Sequence, residues 1–397
     1  MAEQPTTPQW FPGSEYTHRA LRAIAKYGPI ARVTLAQILG LSQGALSRIT
    51  SDLIHAGAVE EMPSSAEERG KLPFGFVPKE NSDKRGRPQT ALRLCAEKRT
   101  FIGANIHGTD VTVVQVDALC RPLAPCVTVP LTSTDPEEVA RQVSNVVPSC
   151  ISKSHPAPTS LAISIGGHVD DGRFVTFAPF LHWDGCVNFA DLLETHTGLH
   201  SAVFNDLDSL LLHESWFGNA VGIARFAVLT IGSGVGYSLS ENSEAIDYPD
   251  KSYGMVGHVL IDPEGPRCVS GHIGCSQCLT SDSLAEEYSS IVGHTMTFEE
   301  FAADLRAGKP HARRLGDRTC FRLGVLISIV ANLAMPTKVL ISGESSFIAK
   351  LNVESIRKGI EWYRHSRVAP VEFEILDFQW SHWAEAAAAR AIAQYIG

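Results

Sequence analysis

The chain has 397 residues, which is more than one ordinary domain needs and predicts two or three domains. Hydrophobic residues make up 44% and charged residues 19% of the sequence, a balance typical of globular proteins and not of disordered ones. The net charge of −9, taken over the whole chain, argues against binding to nucleic acid. The sequence has no apolar run long enough to span a bilayer and no signal-peptide core, so we expect a cytoplasmic protein with no membrane partner.

The charge is distributed unevenly along the chain. Residues 1–98 contain 13 Lys and Arg against 10 Asp and Glu, a balance of +3. The remaining residues contain 21 basic and 33 acidic side chains, a balance of −12. A basic N-terminal segment on an acidic body is consistent with a nucleic-acid reader whose body has a different task.

Three short helices are predicted within the first 60 residues. They cover residues 16–27, which end at Gly28-Pro29, residues 35–39 with Thr34 as the N-cap, and a third helix from its N-cap Ser42 to about His55. A tight turn at Gly40-Leu41 separates the second helix from the third. This order of helix, turn and helix is typical of a helix-turn-helix DNA reader.

The third helix has the composition of a recognition helix. Its apolar face includes Leu46, Ile49 and Leu53. Small polar residues and one arginine mark the opposite face near the N-terminal end, and we expect DNA contacts from Ser42, Gln43, Gly44, Ser47 and Arg48. The helices alone fit an ordinary three-helix surface motif equally well.

A basic loop after the third helix favours the DNA-binding interpretation. A strand begins near Ala58, and residues 90–94 form the returning strand. Between them, Arg85, Gly86 and Arg87 precede a proline, so an extended backbone would place both arginines along a narrow minor groove. The alternative is a solvated basic loop. The sequence thus predicts a winged helix-turn-helix domain over residues 1–98, with a long wing at about residues 60–90.

Residues 99–397 have a different sequence pattern from the N-terminal segment. Apolar strands recur, and each ends in a glycine turn: Gly108, Gly166-Gly167, Gly232–Gly236 and Gly343. Strands of this kind separated by helices predict an α/β body built of two related lobes.

The motifs of this body identify a family resemblance. The chain resembles the transcription-regulator branch of the ROK family (repressors, open reading frames and kinases) through the Phe204-Asn205-Asp206 segment, the Gly232–Gly236 turn, Gly257-His258 and the segment 265–275. The resemblance implies an actin-like, two-lobed sugar-kinase fold with a sugar site in its cleft and a structural zinc ion.

Three cysteines and a histidine lie within 21 positions. Zinc prefers four nitrogen or sulfur ligands, and a Cys-x-x-Cys pair can supply two of them. The family pattern places a cysteine where this chain has Ser270, and Cys278 is available as a replacement. We therefore expect one structural zinc per chain, bound by His258, Cys268, Cys275 and Cys278. The alternative is a loop of free thiols.

The family's catalytic groups are only partly present. Asp206 matches the catalytic base, although it could equally be a helix N-cap. Asn105 stands where family kinases carry an aspartate, and His107 adds bulk where the backbone must approach phosphate. The resemblance together with these departures predicts that kinase activity has been lost.

The sugar site is altered as well. The resemblance assigns ligand contacts to Phe180, Asn205, Asp206, Met255, His258 and Gln277, of which Phe180, Met255 and Gln277 replace polar residues of the family. We expect a repressor of carbohydrate genes that binds a pseudo-palindromic operator as a homodimer or homotetramer and responds to a sugar, an amino sugar or a sugar phosphate. The alternatives are a sugar kinase with an accessory DNA-binding head and a regulator controlled by a protein partner.

Overall fold

The computed structural model describes residues 8–63, 72–73, 75–77, 90–242, 244–246 and 255–397. The chain divides into two compact units, of which the first contains Met1–Ala224 and Trp380–Gly397 and the second contains Arg225–Gln379. No helix in the described ranges has the length and apolar character needed to cross a bilayer.

The N-terminal head consists of three helices and a small antiparallel sheet. Its elements are α1 (Glu15–Tyr27), β1 (Ile30–Ala31), α2 (Arg32–Leu39), α3 (Gln43–His55), β2 (Val59–Pro63) and β3 (Thr90–Leu94). The strands are ordered β1-β3-β2, with β3 between its two neighbours. Leu21, Leu35, Leu46 and Leu53 are almost completely buried and form the centre of the head.

The sequence predicted most of these elements. Helix α3 has Ser42 as its N-cap and ends at His55, and β3 has the predicted bounds. The start of α2 was predicted wrongly, because the helix begins at Arg32 after an N-cap at Ala31 that makes no side-chain hydrogen bond. Thr34 therefore lies inside this helix and does not cap it.

The first lobe follows the head. Its elements are β4 (Thr100–His107), β5 (Asp110–Asp117), β6 (Val127–Pro130), α4 (Pro136–Cys150), β7 (Pro158–Ile165), β8 (His168–Asp170), β9 (Phe174–Ala178), β10 (Trp183–Asn188), α5 (Phe189–Thr197), β11 (His200–Asn205) and α6 (Asp206–Trp216). The main sheet has the order β11-β7-β4-β5-β6, and β8, β9 and β10 form a separate antiparallel sheet.

The second lobe contains β12 (Arg225–Ile231), β13 (Val235–Glu241), β14 (Glu244–Ala245), α7 (Ser281–Val292), α8 (Phe298–Arg306), α9 (Pro310–Leu333), β15 (Lys338–Ser342), α10 (Val353–Trp362) and β16 (Glu372–Ile375). Its sheet has the order β14-β13-β12-β15-β16. In each lobe, the first strand pairs with an antiparallel strand on one side and with a parallel strand on the other, and that parallel strand pairs with a second parallel strand. The prediction of two related α/β lobes is confirmed.

Helix α11 (Trp380–Ile396) belongs to the first unit and packs on its main sheet. A Cβ on Gly103 of β4 would lie only 2.0 Å from the Ala384 carbonyl oxygen, so the helix lies directly on the strand backbone. The far end of α11 reaches the head, where His18 Nδ1 lies 2.7 Å from the Ile396 carbonyl oxygen and Arg22 Nη2 donates to the Gly397 carbonyl oxygen over 2.7 Å.

Candidate functional site

The exposed face of α3 carries the predicted DNA contacts. The helix follows Gly40, whose left-handed conformation (φ 66°) ends α2. The Ser42 hydroxyl accepts a hydrogen bond from the Ala45 N–H and caps the helix. All five predicted contact residues of this helix are exposed: Ser42, Gln43, Gly44, Ser47 and Arg48. The other three, Arg85, Gly86 and Arg87, lie outside the described residues.

A second candidate site lies where β7 and β11 end in the first lobe. Asn205, rather than Asp206, is the N-cap of α6, and its side-chain oxygen accepts from the Asp208 N–H. The Asn205 amide nitrogen donates to the Gly167 carbonyl oxygen over 2.8 Å, which fixes the neighbouring loop. Asn205 thus positions Asp206, which is the first residue of the helix.

The Asp206 carboxyl group lies in a desolvated environment. Burial raises its pKa to about 6, although the Leu207 N–H, which donates to Oδ1 over 2.7 Å, acts in the opposite direction. A Cβ on Gly166 would lie 3.3 Å from Asp206 Oδ2 and 3.6 Å from the Phe180 ring, so the three residues are neighbours. Phe180 is 53% exposed and can offer its face to a ligand. A carboxyl group with this pKa can accept a hydroxyl proton near neutral pH.

Two side chains of β4, Asn105 and His107, precede the first glycine loop of this lobe. Asn105 is buried and its amide nitrogen donates to the Ser164 hydroxyl over 2.9 Å, while Oδ1 has no hydrogen-bond partner within the described part of the chain. The His107 ring stacks on Trp380 with centroids 3.6 Å apart, and Nε2 lies 3.0 Å from the Thr112 hydroxyl. Burial lowers the pKa of His107 to about 4, so its imidazole is neutral at pH 7.

A candidate metal centre lies in the second lobe. One ligand atom from each of His258, Cys268, His272 and Cys275 lies within 4.8 Å of the others. His258 Nδ1 lies 3.2 Å from His272 Nδ1, 3.7 Å from Cys268 Sγ and 3.8 Å from Cys275 Sγ. Zinc–ligand bonds of about 2.0–2.3 Å place the ligand atoms of a tetrahedron about 3.3–3.8 Å apart, so the spacing and the donor types fit this ion.

A tight turn brings two of these ligands together. The Gly271 N–H donates to the Cys268 carbonyl oxygen, and the Cys268 N–H donates to the His272 carbonyl oxygen over 2.9 Å. Gly271 has φ 87°, a conformation that few other residues adopt without strain. The backbone therefore holds Cys268 and His272 side by side. Burial opposes ionisation of the Cys268 thiol, but backbone N–H groups of the loop outweigh it and lower the pKa.

Cys278, the fourth ligand that the sequence predicted, is not part of this group, and His272 is its fourth member. Cys278 lies in a 3₁₀ helix, Ser276–Leu279, and its side chain is 2% exposed within the core of the lobe. Burial raises its pKa to about 12, which keeps the thiol protonated and a poor metal ligand. The sequence signal that identifies His272 is its position directly after Gly271 and four residues after Cys268.

A buried ion-pair network supports the metal loop. Arg322 of α9 is fully buried, and it donates to Asp262 Oδ2 over 2.8 Å and to Glu287 of α7 over 2.6 Å. The Asp262 N–H donates to the carbonyl oxygen of Gly274, next to the candidate ligand Cys275. The other predicted ligand contact here, Gln277, lies against Gly257, where a Cβ would approach its Nε2 to 2.7 Å. The Met255 side chain lies outside the described part of the chain.

Comparison with known proteins identifies the family. The sequence profile of the ROK family matches residues 101–395. The chain belongs to the ROK family. A relative of this ROK protein is the DNA-binding transcriptional dual regulator NagC of Escherichia coli strain K12, which is 24% identical over 355 residues. That similarity covers 85% of this chain and 82% of NagC.

Solved structures give the same fold. The crystal structure of a ROK family transcriptional regulator, a homologue of the E. coli MLC protein, has a TM-score of 0.73 at 21% identity and covers 96% of both chains. A ROK family glucokinase from Streptomyces griseus, solved with glucose and AMPPNP, has a TM-score of 0.61 at 22% identity and covers 73% of this chain and 98% of the kinase. The predicted actin-like, two-lobed fold is confirmed.

Proposed function

We propose that this ROK protein is a sequence-specific DNA-binding transcription regulator of carbohydrate genes, most simply a repressor, on a kinase fold that no longer phosphorylates. The observation that carries the proposal is the outward face of α3, where Gln43, Ser47 and Arg48 are exposed beside a capped N-terminus. A helix presented in this way can enter the major groove. Residues 1–98 form the reading head in this proposal, and residues 99–397 form the sensing body.

Similarity beyond the kinase body supports this role. The likeness to NagC covers 85% of the chain, whereas the ROK profile begins at residue 101, so the aligned region extends into the head. NagC is described as a transcriptional regulator that binds DNA. We extend this description to the present chain, with two heads of a homodimer or homotetramer on a pseudo-palindromic operator in the cytoplasm. Arg85 and Arg87 remain predicted minor-groove contacts.

The effector in this proposal binds beside Asp206. The desolvated carboxyl group suits a sugar hydroxyl, and the half-exposed ring of Phe180 suits an apolar sugar face. A sugar, an amino sugar or a sugar phosphate would satisfy both groups. In the second lobe, His258, Cys268, His272 and Cys275 would hold one structural zinc ion, and Gln277 remains a predicted ligand contact.

The loss of kinase activity is supported by the first glycine loop. The neutral Asn105 cannot supply the carboxylate that holds magnesium, and the His107 ring is packed against Trp380. A coupled assay with ATP and a panel of hexoses tests this part. Robust turnover would favour the sugar kinase with an accessory head.

A matched pair of variants tests the recognition helix. On an operator obtained by DNA selection, Arg48→Ala should weaken specific binding by about 1–3 kcal/mol if the guanidinium reads a base. Arg19→Ala, on the exposed face of α1, should leave the affinity unchanged. Equal affinities of the wild type and the Arg48 variant would contradict the proposed docking of α3.

A further inference from the structure

The glycine turn after β12 binds a carboxylate of the protein itself. The Ser233 N–H donates to Glu344 Oε2 over 3.0 Å, and the Ser233 hydroxyl donates to the same oxygen over 3.3 Å. A Cβ on Gly232 would lie 2.4 Å from that oxygen. The carboxylate therefore lies directly on the turn, within reach of both donors of Ser233.

The backbone on either side of Glu344 fixes this contact. Strands β12 and β15 are parallel neighbours, so the segments that follow them meet at one edge of the sheet. Gly343 has φ 100°, and a Cβ there would lie 2.4 Å from the Ile231 carbonyl oxygen. The Ser345 N–H donates to the same carbonyl oxygen over 3.0 Å. Glu344 is thus held between two residues anchored to the end of β12.

The Ser233 N–H and hydroxyl, which donate to Glu344, are also suitable hydrogen-bond donors for a phosphoryl group. A glycine turn that presents a backbone N–H and a hydroxyl group at the end of a strand suits the oxygens of a phosphoryl group. A carboxylate oxygen accepts the same hydrogen bonds. It also repels a second anion, and this repulsion grows as the surroundings become less polar. The turn cannot hold Glu344 and a phosphoryl group on the same donors.

We propose that Glu344 is an internal anion that occupies the phosphoryl-accepting donors of the Gly232–Gly236 turn and excludes phosphoryl ligands from it. This proposal rests on the loss of kinase activity proposed above and names the residue that blocks this turn. Its contacts lie in the second lobe alone, and none of them involves Asn105 or His107.

Isothermal titration calorimetry on the full chain tests the proposal, with inorganic phosphate and with ATP and Mg²⁺ as separate probes. Glu344→Ala should bind at least one of the probes at least about ten-fold more tightly than the wild type, since a like charge next to the ligand has been removed. Glu354→Ala removes an exposed carboxylate from the same lobe and should behave as the wild type. Adding Ser233→Ala to Glu344→Ala should reduce the gain, because one donor is lost.

A folded Glu344→Ala chain that gains no affinity for either probe over the wild type would overturn the proposal. If the alanine variant fails to fold, Glu344→Met decides, since it keeps the length of the side chain but removes the charge and both acceptor oxygens, and a gain supports the proposal while no gain refutes it. Operator binding by Glu344→Ala should equal that of the wild type. A wild-type chain that binds no DNA would refute the regulator role, while the phosphate titration would still decide the role of Glu344.

Discussion

His107 and Trp380 lie face to face, with ring centroids 3.6 Å apart and ring planes at 5°. His107 ends β4, and Trp380 begins α11, whose other end contacts α1 of the head. The stack therefore joins the first glycine loop of the lobe to the helix that contacts the N-terminal head. It also explains why a histidine is accommodated at this position.

The stack predicts a pH dependence of stability. Because burial lowers the pKa of His107 from 6.5 to about 4, the unfolded chain binds a proton more readily than the folded one between these values. Stability is fully present above pH 6.5 and is lost as the pH falls toward 4. His107→Phe keeps the stack without a titrating group, and denaturant unfolding should show that the wild type loses about 1 kcal/mol more than this variant between pH 7 and pH 5, after allowance for the partial exposure of the imidazole. Equal losses would contradict the stacked, neutral histidine.

Burial of Asp206 predicts that removing its charge stabilises the fold but impairs the response to the effector. Its pKa is raised to about 6 by burial, so the carboxyl group favours folding below its ordinary pKa of 3.8 and loses that contribution as the pH rises through 6. Asp206→Asn should therefore stabilise the fold at pH 7.5 by about 1–2 kcal/mol after allowance for partial exposure, and it should abolish the response to the effector. Asp282→Asn, at an exposed position in the first turn of α7, is the control. A variant that is less stable yet still responds would contradict the proposed site.

The metal centre predicts opposite outcomes for two substitutions. His272→Ala should reduce the zinc content well below one ion per chain, because it removes one member of the four-residue group. Cys278→Ala should retain the ion, since this thiol is buried in the core. Elemental analysis of gently purified protein measures both. Loss of zinc from the Cys278 variant with retention in the His272 variant would restore the ligand set expected from the sequence.

The contact between α11 and α1 predicts that a substitution at Arg22 weakens the coupling between effector binding and operator binding. Arg22→Ala removes a hydrogen bond to the Gly397 carbonyl oxygen and should cost about 1 kcal/mol of stability. Operator affinity without the effector should change little, while the effect of the ligand on that affinity should shrink. Arg19→Ala lies on the same helix with an exposed side chain and serves as the control. An unchanged ligand response in the Arg22 variant would exclude this route of coupling.

Local signals in the sequence predicted many of the elements. Ser42 marks the start of α3 because a serine before an apolar stripe satisfies free N–H groups, and the strand-then-glycine units reveal both lobes. The start of α2 gave no such signal, since Ala31 has no side chain that can cap a helix.

The site residues were harder to predict because their partners are distant in sequence. The thiol of Cys278 matched the chemistry of a ligand, but only the fold shows that it points into the core, whereas His272 reaches the group. Glu344 reaches Ser233 across 111 positions, and Trp380 reaches His107 from the last helix. No local pattern encodes such contacts, because parallel strand pairing and the return of α11 create them.

DNA selection with the full chain, followed by titration of sugars on the selected operator, tests whether this protein is a DNA reader under sugar control. We expect a pseudo-palindrome with half-sites about one helical turn or a multiple of it apart, and a change in operator affinity with a sugar, an amino sugar or a sugar phosphate. Selection that yields no sequence preference would contradict it. A preferred sequence whose binding no sugar alters would leave the reader but remove the proposed sugar control, in favour of a protein partner.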